Sequence, residues 1–315
     1  MTRLTTRTKK KKEQLEREKV PESDLDNGLV GWEGQDDPEM PLNFPQQRKW
    51  LLLSLISAIT LISPLASSMF APGVIFMDED FHNTNTTISA FTVSIFVMGY
   101  AVGPLFLSPL SEIYGRRPVL GCANAFFTLW QIGCALAPNI STLIVFRFFA
   151  GIGGSGCLTI GGGVISDLFR REQRGMATAV YSLGPLLGPV IGPICGGFLA
   201  QRAGWRCKYI KRFRIECLLM HLGVFWLLLI AAGIIAIGVE ILNKETNPKV
   251  LIRRKTRNLR KSLNRPELKS VYEQAAEQSK ASVLLHGLVR PLKLLFRSPI
   301  VFLLSLYMAF VYGLL

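Results

Sequence analysis

The sequence predicts an all-α polytopic membrane protein. Of its 315 residues, 49% are hydrophobic, the mean hydropathy is positive, and the apolar residues come in long blocks instead of alternating with polar ones. About 20 apolar residues are needed to cross a hydrocarbon core of roughly 30 Å. We predict six spans and the start of a seventh, at about 50–76, 88–109, 118–138, 142–165, 176–200, 218–241 and 299–315.

Residues 1–49 precede the first predicted span. They are polar and carry a basic cluster at Lys9 to Lys12, far from the first apolar run. A cleaved signal peptide would place its apolar region directly after such charges, so this segment does not resemble one. The composition predicts a disordered leader.

The net charge of +14 is concentrated on one side of the predicted membrane. Of the 36 Lys and Arg residues, ten lie in the leader, two at 116–117, three at 170–174 and 14 at 243–298, which makes 29. The positive-inside rule therefore predicts that the N-terminus, the second and fourth joints and the segment after span six are cytosolic. Nucleic acid is a poor partner for this charge, because no basic patch is interleaved with aromatic residues.

The first outer joint supports the same orientation. Residues 78–87 contain no Lys or Arg, and they include the sequon Asn85-Thr86-Thr87. Asn85 is therefore a candidate glycosylation site on the non-cytosolic side.

The sequence offers no chemistry typical of an enzyme. Its six cysteines show no CxxC pair and no zinc-ligand spacing. No nucleophile–base pair, metal cluster or phosphate-binding loop is evident. We expect a protein that is not an enzyme and that needs neither a metal nor a cofactor.

The joints predict the domain organisation. Short joints link the spans of a six-helix bundle over 50–242, and a basic cytosolic linker over 243–298 separates it from the start of span seven at 299–315. Within the linker, residues 248–272 are predicted to form a basic amphipathic helix. Two interpretations of 249–269 are open: attraction to anionic lipid, worth about 1 kcal/mol per basic residue near the surface, or a solvated charged linker.

Arg147 is embedded among apolar and aromatic residues of span four. An arginine within the membrane costs several kcal/mol unless it faces a polar cavity or finds partners, so Arg147 is a functional candidate. The alternative is a position near the outer end of the span, from which the side chain reaches the interface.

Glycine patterns mark spans four and five. The segment 151–156 satisfies G-x-G-x-x-G, but it lies inside an apolar span and not after a strand, so close helix packing explains it better than a dinucleotide site. In span five, glycines four apart and several prolines predict a kinked, tightly packed helix. Broken helices of this kind line cavities in transport proteins.

These features resemble the major facilitator superfamily and, within it, the fungal twelve-span drug:proton antiporters. Span five is similar to the antiporter pattern G-x-x-x-G-P-x-x-G-G, and the joint after span two is similar to the loop motif of the family, with Ser108 where many members have glycine. The loop-motif residues are Gly103, Glu112, Gly115, Arg116 and Arg117. The antiporter-motif residues are Gly188, Pro189, Gly192, Pro193, Gly196 and Gly197.

The resemblance implies a six-helix N-terminal bundle of inverted three-helix repeats, with the C-terminal bundle of the family missing from this chain. It implies proton-coupled export of small amphipathic molecules, of the drug or polyamine type, across the plasma membrane or alternatively the vacuolar membrane. The implied partners are substrate, protons and the bilayer.

The resemblance also implies residue roles. Arg147 and Asp167 are candidates for proton coupling, although Asp167 lies near the cytosolic end of span four. Glu112, Arg116 and Arg117 would form a cytosolic latch. The antiporter motif would form the bundle contact that sets the direction of exchange.

Two departures from the family pattern support a second hypothesis. Residues 207–223 intervene before span six and add basic residues to the outer side, so we interpret them as an insertion from an unspliced intron or a gene-model error. The chain ends at Leu315, within span seven. The second hypothesis is a non-transporting truncated membrane fragment, or a gene-model artefact, of such a transporter.

Overall fold

The structure is a computed structural model that describes residues 21–203, 224–274 and 280–314. The predicted insertion at 207–223 and the first 20 residues of the leader lie outside the described residues. Within the described ranges the chain forms the helices α1 (Gln46–Ser68), α2 (Val74–Phe81), α3 (Thr86–Tyr114), α4 (Arg116–Leu136), α5 (Ile140–Leu168), α6 (Arg171–Ala203), α7 (Val224–Leu242), α8 (Pro248–Ser262), α9 (Val271–Gln274), α10 (Lys280–Arg297) and α11 (Pro299–Leu314), and the strands β1 (Leu29–Val30) and β2 (Lys269–Ser270).

The prediction of an all-α polytopic membrane protein is confirmed. Five helical units in the described part of the chain are long and apolar enough to span a membrane: α3, α4, α5, most of α6, and the unit Gln46–Phe81, in which a short 3-10 turn joins α1 to α2. A shorter apolar helix, Leu228–Leu242, forms most of α7. Helices are expected here because lipid offers no partner for free backbone N–H and C=O groups.

The helix packing has the pairing expected of an inverted repeat. The first span, α1, packs along the fifth, α6, while the second, α3, packs along the fourth, α5. In an inverted repeat, spans one, two and three correspond to spans four, five and six. The pair of spans one and five then corresponds to the pair of spans four and two. Helix α5 also contacts α1 and α4, so it lies at the centre of the bundle.

Glycines bring the backbones of α3 and α5 close together. A side chain at Gly99 would collide with the backbone of Phe148, and one at Gly151 would collide with the backbone of Phe96. A side chain at Gly103 would collide with the hydroxyl group of Ser155. The glycines of the G-x-G-x-x-G segment therefore serve helix packing, as the sequence indicated, since α5 is helical throughout.

A second glycine face joins α6 to α1. Gly184, Gly188, Gly192 and Gly196 are buried at four-residue spacing against α1 and the residue that follows it, Met69. The hydroxyl of Ser68 donates a hydrogen bond to the carbonyl of Gly188 over 3.1 Å. This glycine face fixes the position of the fifth span on the first.

The core lies between the helices in three buried clusters. One cluster includes Leu52, Ile160 and Phe169, a second includes Phe96 and Phe127, and a third includes Phe70 and Leu143. The clusters follow one another along the helix axes.

The leader and the linker meet on one side of the bundle, which we call the basic face. The joints at Gly115 and Arg170 lie on this side, because α3 and α5 end there. Strand β1 of the leader pairs in parallel with β2 of the linker, Leu29 opposite Lys269 and Val30 opposite Ser270. The side chains of Trp32 and Met40 pack on Ile252 of α8.

This arrangement differs from the expected disordered leader in residues 21–49. The leader is polar on average, but it contains two large apolar side chains, Trp32 and Met40. Both are buried against the linker. The predicted helix over 248–272 is also shorter in the structure, because α8 ends at Ser262 and is followed by β2 and α9.

Helix α10 approaches the bundle from the linker. Gly287 lies against Pro109 near the basic-face end of α3. A sharp bend of 93° then separates Gly287–Arg297 from Pro299–Phe310, which belongs to α11 and to the predicted span seven.

A matched glycine pair tests the glycine face of α6. In Gly196→Ala, the new methyl group would collide with the backbone of Met69, whereas Gly197 has no atom within 4 Å of the same position. We expect Gly196→Ala to lower the free energy of unfolding by about 1 to 3 kcal/mol, as overpacking does. Gly197→Ala should change it by less than about 0.5 kcal/mol. Thermal unfolding in detergent would measure both, and equal losses would contradict the packing described.

The contact between Asp37 and Lys255 predicts a pH dependence of leader docking. Burial raises the pKa of Asp37, but the N–H groups of Glu33 and Glu39 and the charge of Lys255 outweigh burial and leave the pKa below its ordinary value. A carboxyl with a lowered folded-state pKa stabilises docking fully above about pH 4 and loses this effect as the pH falls through that lowered pKa.

We expect hydrogen exchange at Leu29 and Val30, corrected for the intrinsic rate, to accelerate below about pH 4 in the wild-type chain. Asp37→Asn should show weaker protection already at pH 7, by about 1 to 2 kcal/mol. Asp26→Asn, at an exposed turn position, serves as the control. Protection that is the same in both variants would contradict the assigned role of Asp37.

Candidate functional site

The loop between the second and third spans is a tight turn at Gly115. This residue ends α3 and precedes α4 with φ = +111°, a conformation that only glycine adopts readily. A side chain at Gly115 would also collide with the carboxylate of Glu245. The glycine of the loop motif is therefore required both by the backbone and by its neighbour.

Arg116 joins three helix ends on the basic face. Its Nε contacts Oδ2 of Asp167 at 3.3 Å, and its Nη1 donates to the hydroxyl of Ser111 at 2.8 Å. The side chains of Arg116 and Asp167 are only 16% and 13% exposed. The pair is shielded from water, and it connects the second and third spans to the end of the fourth.

Arg117 contacts the end of the sixth span. Its Nη2 donates to the backbone carbonyl of Glu240 at 3.0 Å and lies 3.4 Å from the Glu240 carboxylate. Both side chains are about half exposed, so this contact contributes little stability by itself. It brings the sixth span to the same joint.

Glu245 is the centre of this joint, and the sequence did not single it out. Its buried carboxylate accepts N–H bonds from Arg116 at 2.9 Å and Arg117 at 3.4 Å, which begin α4, and from Thr246 and Asn247 in its own loop. The side chain of Asn247 donates to the carbonyl of Ser111 at 3.3 Å. An anion at a helix N-terminus interacts favourably with the helix dipole and the free N–H groups.

The available signal for Glu245 was an acidic residue directly after the sixth span, in a linker whose net charge is strongly positive. We call the set Arg116, Arg117, Asp167, Glu240 and Glu245 the basic-face cluster. Glu112 does not belong to it, since its side chain is exposed and has no hydrogen-bond or ion-pair partner among the described residues.

Arg147 is buried within the bundle, with 1% of its surface exposed. Its guanidinium lies 4.1 Å from the ring centroid of Phe70 and 5.6 Å from that of Phe96. Among the described residues, no group accepts a hydrogen bond from its Nε or Nη2, and no carboxylate pairs with it. Aromatic faces attract the cation but leave its N–H donors unused.

The structure places Arg147 and Asp167 far apart. Arg147 lies about 10 Å into α5 from Ile140, whereas Asp167 lies in the last turn, about 30 Å away along the helix. The side chain of Arg147 is buried and does not extend to the outer membrane interface, contrary to the alternative interpretation of the sequence. The two candidates for proton coupling do not form one site.

Other polar groups without partners line the interior, and sequence reasoning missed them. The hydroxyl of Ser63, Nδ2 of Asn124 and Oε1 of Gln131 are buried and have no hydrogen-bond partner among the described residues. The hydroxyl of Tyr181 donates to the carbonyl of Cys157 at 3.0 Å. Buried polar atoms in this state can hold water or a polar ligand.

The antiporter motif has two faces. Gly188, Gly192 and Gly196 pack on α1, whereas Pro189 and Pro193 are exposed on the surface of α6. The exposed face continues through apolar side chains such as Val190. The motif therefore fixes α6 within the bundle through glycine and leaves the prolines free to meet another surface.

Asn85 lies at the opposite face of the bundle. It is exposed, and its side-chain oxygen caps α3 by accepting the N–H of Thr87 at 3.0 Å. In the described ranges no group of three or more His, Cys, Asp or Glu side chains could hold a metal ion.

Comparisons with known proteins identify relatives of the chain. A family model described as Major Facilitator Superfamily matches residues 56–315. An MFS-type transporter, penM, of Penicillium rubens is 47% identical over 288 residues, which cover 91% of this chain and 53% of the relative. An efflux pump, radE, of Floropilus chiversii is 43% identical over 93% of this chain and 51% of the relative.

The chain thus spans about half the length of the curated relatives it matches. Among solved structures, the proton:xylose symporter XylE bound to 6-bromo-6-deoxy-D-glucose matches with a TM-score of 0.55 and 16% identity, over 80% of this chain and 56% of that one. A bacterial homolog of the human lysosomal transporter Spinster matches with the same TM-score and 18% identity, over 64% of this chain and 44% of that one. At these identities the structures support the fold alone.

The central position of Glu245 predicts a large effect of a small change. Glu245→Gln keeps one acceptor oxygen but loses the charge that faces the N-terminus of α4, so we expect a loss of about 2 kcal/mol in the free energy of unfolding. Glu112→Gln removes the neighbouring exposed carboxylate and should change it by less than about 0.5 kcal/mol.

Denaturant unfolding in mixed micelles, together with the rate of trypsin cleavage after Arg116, would measure both effects. If Glu245→Gln is as stable as Glu112→Gln, and cleavage is no faster, the carboxylate does not hold the turn.

Proposed function

The chain belongs to the major facilitator superfamily, and from this premise we propose that it acts in the proton-coupled export of small amphipathic molecules, of the drug or polyamine type. The observation that carries the proposal is the buried Arg147, whose charge has no counter-ion among the described residues and whose Nε and Nη2 donate no hydrogen bond there. The names of its relatives, which include an efflux pump, support export.

Arg147 is proposed to control protonation within the bundle. A cation in an environment of low dielectric strongly favours the charged form of any acid that approaches it, and it orders water at its free donors. The described part of the chain places no carboxylate beside Arg147. Arg147 would therefore order water, or stabilise the charged form of an acid that approaches it in another conformation. Substrate entry is one way in which such an approach could be coupled to export.

Asp167 is proposed to serve the latch instead of proton coupling. Its carboxylate is paired with Arg116 at the basic face, so it supports the joint of spans two, three and four. The exposed Glu112 is then the latch residue that remains available to a second bundle. The proline face of α6 at Pro189 and Pro193 is proposed as the bundle contact that sets the direction of exchange.

The basic-face cluster supports rigid-body rocking. It joins the ends of the second, third, fourth and sixth spans, so that a movement of one is passed to the others. Alternating access in this family requires a bundle that moves as one body around a central site. The basic-face cluster would keep the bundle in one piece during that movement.

Orientation and location are part of the same proposal. We place the basic face in the cytosol, with the leader, the linker and the N-terminus, and Asn85 on the other side, where it would be accessible to glycosylation. The plasma membrane is the proposed location and the vacuolar membrane the alternative. The domain boundaries 50–242, 243–298 and 299–315 are retained with a leader that is ordered from residue 21.

Helix α8 is proposed to contact anionic lipid through charge alone. Its apolar residues Val250 and Ile252 are buried, the latter against the leader, so they cannot insert into the bilayer. Arg254, Arg257 and Lys261 are exposed and can be attracted to a negative leaflet. This limits the lipid interaction expected for 249–269 to the surface.

The transport proposal predicts a large effect of Arg147. In inside-out vesicles that contain the chain, uptake of a fluorescent amphipathic cation should follow an imposed proton gradient and stop when a protonophore collapses it. We expect Arg147→Ala to reduce the initial rate at least about tenfold, because removal of a group that acts in proton transfer typically costs 10²- to 10⁴-fold. Arg171→Gln, which removes an exposed arginine, should transport normally.

Matched amounts of folded variant, checked by size-exclusion chromatography, are needed for this comparison. Uptake no higher than in vesicles from a vector control, together with rapid degradation of the chain, would overturn the proposal. That outcome would favour the second hypothesis of a non-transporting membrane fragment.

A further inference from the structure

A polar pocket lies where the leader crosses the basic face. It has a volume of about 430 Å³, within the range of roughly 300 to 1,000 Å³ that is typical of small-molecule sites. Three segments contribute side chains that line it: the leader, the first turn of α1 and the start of α6. These side chains include Leu42, Asn43, Gln46, Lys49, Arg170 and Gln173.

Lys49 is a buried cation that faces this pocket, with 4% of its surface exposed. Its Nζ donates one hydrogen bond, to the carbonyl of Leu42 at 2.8 Å. An ammonium group has three N–H donors, and no carboxylate of the described residues forms an ion pair with Lys49. A buried charge without a counter-ion is costly, so the site favours an anion.

Arg170 adds a second positive charge to the same lining. It is exposed and has no ion-pair partner among the described residues. The lining includes one carboxylate, Asp36, which is exposed on the leader and balances only one of the two cations. The pocket therefore keeps a net positive charge.

The backbone strengthens this field. Helix α1 begins at the pocket without a side-chain cap and without an acidic residue in its first turn. Helix α6 begins there as well, since the carbonyl of Arg170 accepts the N–H groups of Gln173 and Arg174. Each long helix presents about half a positive charge at its N-terminus. Glu172 lies in the first turn of α6 but does not line the pocket.

The position of the pocket limits the ligand. Lys49 lies in the first turn of the first span, and Arg170 lies between the fourth and fifth spans, so the pocket lies at the depth of lipid headgroups. We propose that this pocket binds a phosphate group, supplied either by the headgroup of an anionic phospholipid or by a free phosphate compound. Two cations and two helix N-termini provide the donors that phosphate oxygens accept.

The site has a structural consequence for the bundle. The ligand would connect the leader, the first span and the joint between the fourth and fifth spans, and it would offset the repulsion between Lys49 of the first span and Arg170 of that joint. Occupancy would therefore stabilise the basic face. Binding of phosphate at this pocket does not require that the chain transports a substrate.

Two variant pairs test the site. Lys49→Gln and Arg170→Gln each remove a charge that lines the pocket, whereas Arg48→Gln and Arg171→Gln remove the neighbouring charge that does not. Native mass spectrometry of the delipidated 315-residue chain in detergent would count bound short-chain phosphatidylinositol 4-phosphate. Calorimetric titration with inorganic phosphate, in a separate arm, would test the free compound.

We expect each pocket variant to weaken binding about tenfold, the effect of losing one charge-assisted contact, and each control to weaken it by less than about twofold. Tight binding of the lipid with weak binding of inorganic phosphate identifies the headgroup as the source, and comparable binding of both identifies the free compound. No binding in either arm, or equal losses in all four variants, would overturn the proposal. Arg170 is exposed, so Arg170→Gln tests the site even if Lys49→Gln fails to fold.

Discussion

Close approach of helix backbones is the constraint on which the rest of this structure depends. In lipid, apolar side chains gain nothing by leaving one apolar surface for another, so helices associate through packing contacts and hydrogen bonds. Gly99 and Gly151 provide that contact between the second and fourth spans, and Gly188 and Gly196 provide it between the fifth and the first. The two interfaces correspond under the inverted repeat. The third span then packs on the fourth, and the sixth span packs on the third and the first.

The chemistry of the bundle is divided between its ends. On the basic face, charges are paired and hold helix ends together, with Glu245 at the centre. Toward the opposite face, Arg147 is buried, and no described residue provides a counter-ion for it. Paired charges suit a rigid joint, because their energy is lowest in one geometry. An unpaired buried charge suits a site that binds a group temporarily. Burial of the charge costs free energy, and an anion that binds next to it offsets part of that cost.

The sequence predicted the first five spans well because the length and apolar character of a membrane helix are local properties. The same applies to the turn at Gly115 and to the glycine packing of α5. What it could not predict depends on contacts between distant residues. Disorder was expected for a leader whose two-residue strand has its partner 240 positions later, and no local pattern reveals such a pairing. Glu245 was missed for a similar reason, since its partners at Arg116 and Arg117 follow from the tertiary position of the sixth span.

The pairing of β1 with β2 has a consequence for the order of events during synthesis. Leu29 leaves the ribosome early, but its partner Lys269 is made 240 residues later, after all six spans. At roughly 5 to 20 residues per second, this interval lasts about 10 to 50 seconds. Throughout that time Trp32 and Met40 have no α8 to cover them, so the leader is exposed to chaperones and proteases. Capture of the leader is therefore a late step, and it marks a chain in which the bundle and the linker are already complete.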